Sequence, residues 1–171
     1  MKQAPQRSLV LALGNPLSGD DGFGACVLEQ LQHGELPSGV QLEDASTDLL
    51  CRIPDFAEYD QIVLIDAVLD PEGKLGKPGH IAAYEEAVFR AWPETSPSVH
   101  QVSPLLAVKL FRTLYPESRS QITLVGLIVD HVGQKPVYAT EARIAEAAAI
   151  VLALTGHPGF REDQPPDTSN S

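Results

Sequence analysis

Residues 9–24 read LVLALGNPLSGDDGFG, and the fold turns on how this stretch is read. Leu9–Leu13 is a short unbroken apolar run, the pattern of a strand buried on both faces. A glycine-rich turn follows. Phe23, Val27, Leu28 and Leu31 then recur at helical spacing over residues 22–33, with Gly34 as the stop. Gly22 and Gly24 let that helix begin close against the strand. Strand, turn and helix in this order open an α/β unit of the doubly wound kind.

The alternation continues along the chain. Val40–Leu42 reads as a short strand, and residues 47–57 as a helix that Pro54 breaks or kinks. Gln61–Val68 (QIVLIDAV) is the strongest strand signal, residues 71–80 have loop chemistry, and Ile81–Tyr84 suits an edge strand. Ser103 and Pro104 form an N-cap and first-turn pair for a helix reaching about Tyr115. Ile122–Val129 is another buried strand, and Thr140 caps an alanine-rich final helix. The expected fold is therefore a three-layer α/β domain over residues 9–156, with a mostly parallel sheet and helices on both faces. Residues 1–8 are expected to be frayed. Residues 157–171 (HPGFREDQPPDTSNS), rich in proline and almost without aliphatic side chains, are expected to be a disordered tail.

Twelve Lys and Arg stand against 23 Asp and Glu, a net charge of −11. That balance opposes nucleic-acid binding, which needs clustered cations. No apolar run approaches the roughly 20 residues that span a bilayer, and Leu9–Leu13 is too short for a signal-peptide core. A cytoplasmic protein, expected to act as a monomer, fits these features. Cys26 and Cys51 have neither a C-x-x-C nor a zinc-finger spacing and are expected to be small buried hydrophobes.

Ligands in such sheets sit beyond the carboxyl ends of the strands, and acids follow most of those ends here. Asp20 and Asp21 follow the first strand, Glu43 and Asp44 the second, and Asp130 with His131 the last. Asp66 lies inside the apolar run Leu64-Ile65-Asp66-Ala67-Val68, where a carboxylate is costly unless something pairs it. Like charges gathered at one edge repel, and a bound cation is the simplest remedy. His100, in a polar loop before the helix capped by Ser103, supplies a neutral nitrogen donor. Two carboxylates and an imidazole suit a borderline divalent metal such as nickel, zinc or cobalt better than calcium or magnesium. The glycine-rich turn lacks G-x-G-x-x-G in register and G-K-[ST], and its two aspartates would repel a phosphate. There is no G-x-S-x-G and no H-E-x-x-H.

Leu13-Gly14-Asn15-Pro16-Leu17-Ser18-Gly19-Asp20-Asp21-Gly22-Phe23-Gly24 resembles the opening signature of the hydrogenase maturation endopeptidases, G-N-x-[LM]-x-x-D-[DE]-x-x-G. Ile65-Asp66-Ala67 resembles the family's second acidic position, His100-Gln101 its histidine loop, and Leu124–Ile128 its late strand. The resemblance covers most of residues 9–154. It implies a five-stranded twisted sheet between helices, and an aspartyl-type endopeptidase that removes a C-terminal extension from the large-subunit precursor of a [NiFe] hydrogenase after nickel insertion. It assigns Asp21, Asp66 and His100 as catalytic residues and as ligands of the precursor's nickel, with no tightly bound cofactor. Asp44, Ser46 and Thr47 are expected to meet the substrate chain, and a neighbouring carboxylate, Asp44 or Asp20, is expected to serve as general base. The sequence departs from the family at Asp44-Ala45-Ser46-Thr47, where Asp-Gly-Gly-Thr is usual, and at Val129-Asp130-His131, where a proline-bearing turn is usual. Two alternatives accompany this reading. One is a non-cleaving chaperone for a nickel-loaded client. The other is a peptidyl-tRNA hydrolase, whose G-L-G-N-P is nearly matched by Ala12–Pro16 but whose R-H-N triplet is missing.

Overall fold

The computed structural model describes residues 6–46, 48–92 and 103–156. The expectations for His100, Thr47 and the tail 157–171 lie outside the described residues. Five strands, β1 (Ser8–Leu13), β2 (Val40–Ser46), β3 (Gln61–Leu69), β4 (Ile81–Glu85) and β5 (Gln121–Val129), form one sheet in the order β2-β1-β3-β5-β4. All neighbours pair parallel except β4, which runs antiparallel along β5 at the edge. The helices are α1 (Phe23–Gln32), α2 (Leu49–Arg52), α3 (Glu86–Phe89), α4 (Pro104–Leu114) and α5 (Glu141–Gly156), with 3-10 turns at Gly19–Gly22 and Ile53–Glu58.

Alternation along the central strands creates two cores. Leu9, Leu11, Ile62 and Leu64 pack with Leu49, Ile53, Phe56, Val108 and Phe111, under α2, the second 3-10 turn and α4. Val10, Val63, Ile65 and Val125 pack on the other face with Phe23, Val27, Ala147 and Val151, under α1 and α5. This three-layer arrangement is the one the α/β alternation implies. Ser103 caps α4, its Oγ accepting the Leu106 N–H at 3.2 Å, with Pro104 in the first turn.

Several local expectations are corrected. β1 begins at Ser8, which is buried and donates its hydroxyl to Gln61 Oε1 at 3.1 Å. β2 runs to Ser46 rather than Leu42, because pairing with β1 holds Glu43 and Asp44 in the ladder. The helix expected over residues 47–57 is split into α2 and a 3-10 turn, since Pro54 has no N–H to continue an α-helix. The short α3 was not expected; Arg112 holds it by a two-pronged contact with Glu86, at 2.6 and 3.0 Å. Both cysteines are exposed thiols, not core residues. Cys26 lies off the face of α1 that buries Phe23, Val27 and Leu31.

Polar groups at the amino ends of the strands are tied internally. Ser120 Oγ donates to the carbonyls of Phe56 and Tyr59, and Arg112 donates to those of Ser118 and Ser120. The carboxyl ends are arranged differently.

Candidate active site

The connection after β1 leads through α1 to β2 on one side, and the chain then crosses to β3 on the other. The direction of winding therefore reverses between β1 and β3, the position at which doubly wound sheets bind ligands. Ala12 pairs with Ile65, so Asp66 stands one step further, beside Leu13 and the turn that follows it. Two glycines let that turn close. A Cβ on Gly24 would lie 2.5 Å from the Leu13 carbonyl oxygen and 2.8 Å from that of Ile65, so only glycine lets α1 start directly over the ends of β1 and β3. Gly14 has φ +93°, and a Cβ there would lie 2.0 Å from the Asp21 carbonyl oxygen.

Asp21 and Asp66 meet at this point. Asp66 is partly buried, and burial first, then the neighbouring Asp21 charge, push its carboxyl up to about 8, against the pull of the Ala67 N–H. Asp21 Oδ2 accepts the Asn15 N–H at 2.8 Å, and Asn15 Oδ1 accepts that of Leu17 at 3.0 Å, so the same carboxylate orders the turn above it. It is the second acid of the Asp20–Asp21 pair whose charge acts on Asp66.

Asp20 has a different occupation. It is buried, and its Oδ1 accepts the backbone N–H groups of Val137, Tyr138 and Ala139 at 3.0, 2.8 and 2.7 Å. A carboxylate committed to three peptide donors is a clamp between loops, which corrects its candidacy as general base. Its partners are backbone groups 117 to 119 residues away, so no side-chain pattern could have marked it.

Asp44 is exposed at the end of β2, and its Oδ1 accepts both the N–H and the hydroxyl of Ser46, at 2.8 and 2.6 Å. The ladder slips between Ala12 and Leu13, which face Asp44 and Ser46, leaving Ala45 as the extra residue of a bulge. Ser46 has φ +41°, the left-handed conformation that favours glycine. The glycine usual at this place in the family signature thus has a backbone reason, and Ser46 adopts the same turn with its hydroxyl on Asp44.

Asp130 and His131 follow β5 at the same edge. His131 Nδ1 lies 2.5 Å from Asp130 Oδ1, and Tyr138 donates its hydroxyl to that oxygen at 3.0 Å. The His131 contact first, and then, against the opposing effect of desolvation, the Tyr138 hydroxyl, hold the Asp130 carboxyl below its usual range. Among the described residues no cluster of three or more His, Cys, Asp or Glu side chains forms a ready metal cage. None of their helices is long and apolar enough to cross a membrane.

No family model matches the chain. The "Hydrogenase 2 maturation protease" of Escherichia coli strain K12 is 30% identical over 160 residues, which cover 90% of this chain and 93% of that protein. "Hydrogenase expression/formation protein HupM" of Azotobacter chroococcum mcd 1 is 30% identical over 161 residues, 88% of this chain and 72% of that one. Among solved structures, the hydrogenase maturating endopeptidase HybD from E. coli superposes with a TM-score of 0.73 at 28% identity, over 86% of this chain and 91% of its own. The [NiFe] hydrogenase maturation protease HybD from Thermococcus kodakarensis gives 0.63 at 25% identity, over 87% and 99%. With near full-length kinship and a shared sheet, the chain belongs to the hydrogenase maturation protease family of endopeptidases.

Proposed function

We propose that this endopeptidase removes a C-terminal extension from the large-subunit precursor of a [NiFe] hydrogenase once nickel has been inserted, acting as a cytoplasmic monomer. The observation that carries the reading is the meeting of Asp66 with Asp21 at the reversal of winding, where burial and a like charge make an anionic Asp66 costly. A cation between the two carboxylates removes that cost. Nickel is here cargo of the substrate, not a resident cofactor. Asp21 and Asp66 would contribute oxygen donors and His100 a nitrogen, a set suited to a borderline divalent ion.

The chain's own residues then hold the client. Asp21 and Asp66 grip the metal-bearing segment, while the bulge at Ala45 and Ser46, with Thr47, receives the backbone beside it. Asp44 is the remaining candidate to accept a proton from the attacking water, since Asp20 is committed to three peptide N–H groups. The kinship with named proteases favours cutting over mere holding of the client.

The test is mass spectrometry of a nickel-loaded large-subunit precursor before and after incubation with the chain. The wild type is expected to shorten the precursor, and Asp66→Ala and His100→Ala to leave it intact while keeping their fold. Undiminished trimming by both variants would overturn the site assignment, and an intact but bound precursor with wild type would leave the chaperone reading.

A further inference from the structure

β3 outlasts its neighbour. It pairs with β5 along its whole length, from Gln61 opposite Gln121 to Leu69 opposite Val129, but with β1 only from Gln61 to Ile65, whose partner is Ala12. Burial changes at the same place. Gln61–Ile65 are buried, whereas Asp66–Leu69 are half-buried, although this is the middle strand of five. Two hydrogen bonds fix the direction of the peptide groups. The Gln61 N–H donates to the Arg7 carbonyl at 3.2 Å, so the odd-numbered residues of β3 turn their N–H and C=O toward β1. The Asp70 N–H donates to the Val129 carbonyl at 2.7 Å, so the even-numbered ones turn toward β5. Ala67 and Leu69 therefore aim their peptide groups past the end of β1, where no strand among the described residues meets them. Such an edge is a template for another strand. β2 and β4 also have outer edges, but this one adjoins Asp66 in the crevice where the winding reverses, and the Ala67 N–H already pulls on the Asp66 carboxyl.

We infer that the client segment carrying the scissile bond binds as an added strand, hydrogen-bonded through its backbone to Ala67 and Leu69 on the free edge of β3. The inference rests on the proposed function and deepens it. An endopeptidase must hold an extended stretch of peptide at its site, and the acids at this rim can grip a cation but not a chain of peptide groups. The edge supplies those partners one residue beyond Asp66, and main-chain pairing makes no demand on the side chains of the client. A second copy of this chain is the poorer occupant, because a net charge of −11 opposes bringing two acidic rims together.

Steady-state trimming of a nickel-loaded large-subunit precursor tests this, with single prolines placed in turn at the residues flanking the cut bond, other than the two that form it, and all compared at equal nickel content. KM is expected to rise about tenfold at every second position, where the lost N–H would have met β3, and to stay within about twofold at the positions between. A response without that alternation would overturn the inference and leave the trimming activity standing. On the side of the enzyme, Leu69→Pro removes an edge N–H that lies outside the β5 ladder, and is expected to raise KM about tenfold with kcat within about twofold. Equal KM for Leu69→Pro and wild type would overturn the inference alone, and so would a wild-type dimer in sedimentation that Leu69→Pro dissolves. If thermal unfolding shows that Leu69→Pro does not fold, the proline series in the precursor decides by itself. Absence of trimming of the unsubstituted precursor by wild type would overturn the functional reading and this inference with it.

Discussion

Asp66 has no cation beside it in the described structure's own side chains, and burial together with Asp21 raises its carboxyl to about 8. In an unfolded chain it would ionise near 4. Between those values the native state keeps a proton that the unfolded state has released, so stability falls as pH rises, by up to about 1.4 kcal/mol per pH unit. Below the lower value and above the upper one the dependence disappears. Urea unfolding in chelator from pH 5 to 9 should show the wild type losing ground steadily to Asp66→Asn up to about pH 8, and parallel curves for the two proteins would contradict this. The residue was legible because an aspartate interrupts an apolar strand. The identity of its partner was legible only from the order of the motif, since Asp20 and Asp21 are equal by composition. They differ in what they touch: peptide donors of a distant loop for one, the turn and Asp66 for the other.

The two aspartates that follow β1 carry different structural loads. Asp20→Ala would strand three partly buried peptide N–H groups and is expected to cost about 3 kcal/mol, whereas Asp21→Ala gives up the hydrogen bond from the Asn15 N–H and is expected to cost about 1 kcal/mol. Denaturant unfolding measures both, and the trimming assay should find Asp21→Ala the inactive variant despite its milder destabilisation. In β2, Ser46 sets strain against a hydroxyl bond. Ser46→Gly relieves a left-handed φ worth about 1 kcal/mol and forfeits the bond to Asp44, so its stability should stay within about 0.5 kcal/mol of wild type. Ser46→Ala keeps the strain and loses the bond, costing about 1 kcal/mol in the same measurement. The bulge was hidden in the sequence because Val40–Leu42 is where apolar residues end. Ladder hydrogen bonds carried the strand through polar Glu43 and Asp44, and polarity alone does not reveal that. The α4 cap was readable because Ser103 and Pro104 act within one turn of themselves.

At the scale of the whole molecule, layer order followed from local pattern. Five apolar runs and intervening amphipathic segments left few ways to cover both faces of a sheet, and the topology β2-β1-β3-β5-β4 is one of them. The cysteines were misjudged because residue type outweighed position: Cys26 sits on the outward arc of α1, and no average burial tendency corrects for that. Contacts between remote loops stayed unreadable for a general reason, being made by backbone groups that every residue but proline possesses. One of them has a bearing on biosynthesis. The clamp on Asp20 draws its donors from Val137, Tyr138 and Ala139, just ahead of the last helix. The acid pair emerges early from the ribosome, but the peptide groups that brace it are translated more than a hundred residues later. A nascent chain therefore cannot complete the clamp on Asp20 until β5 and the loop that follows it have been made.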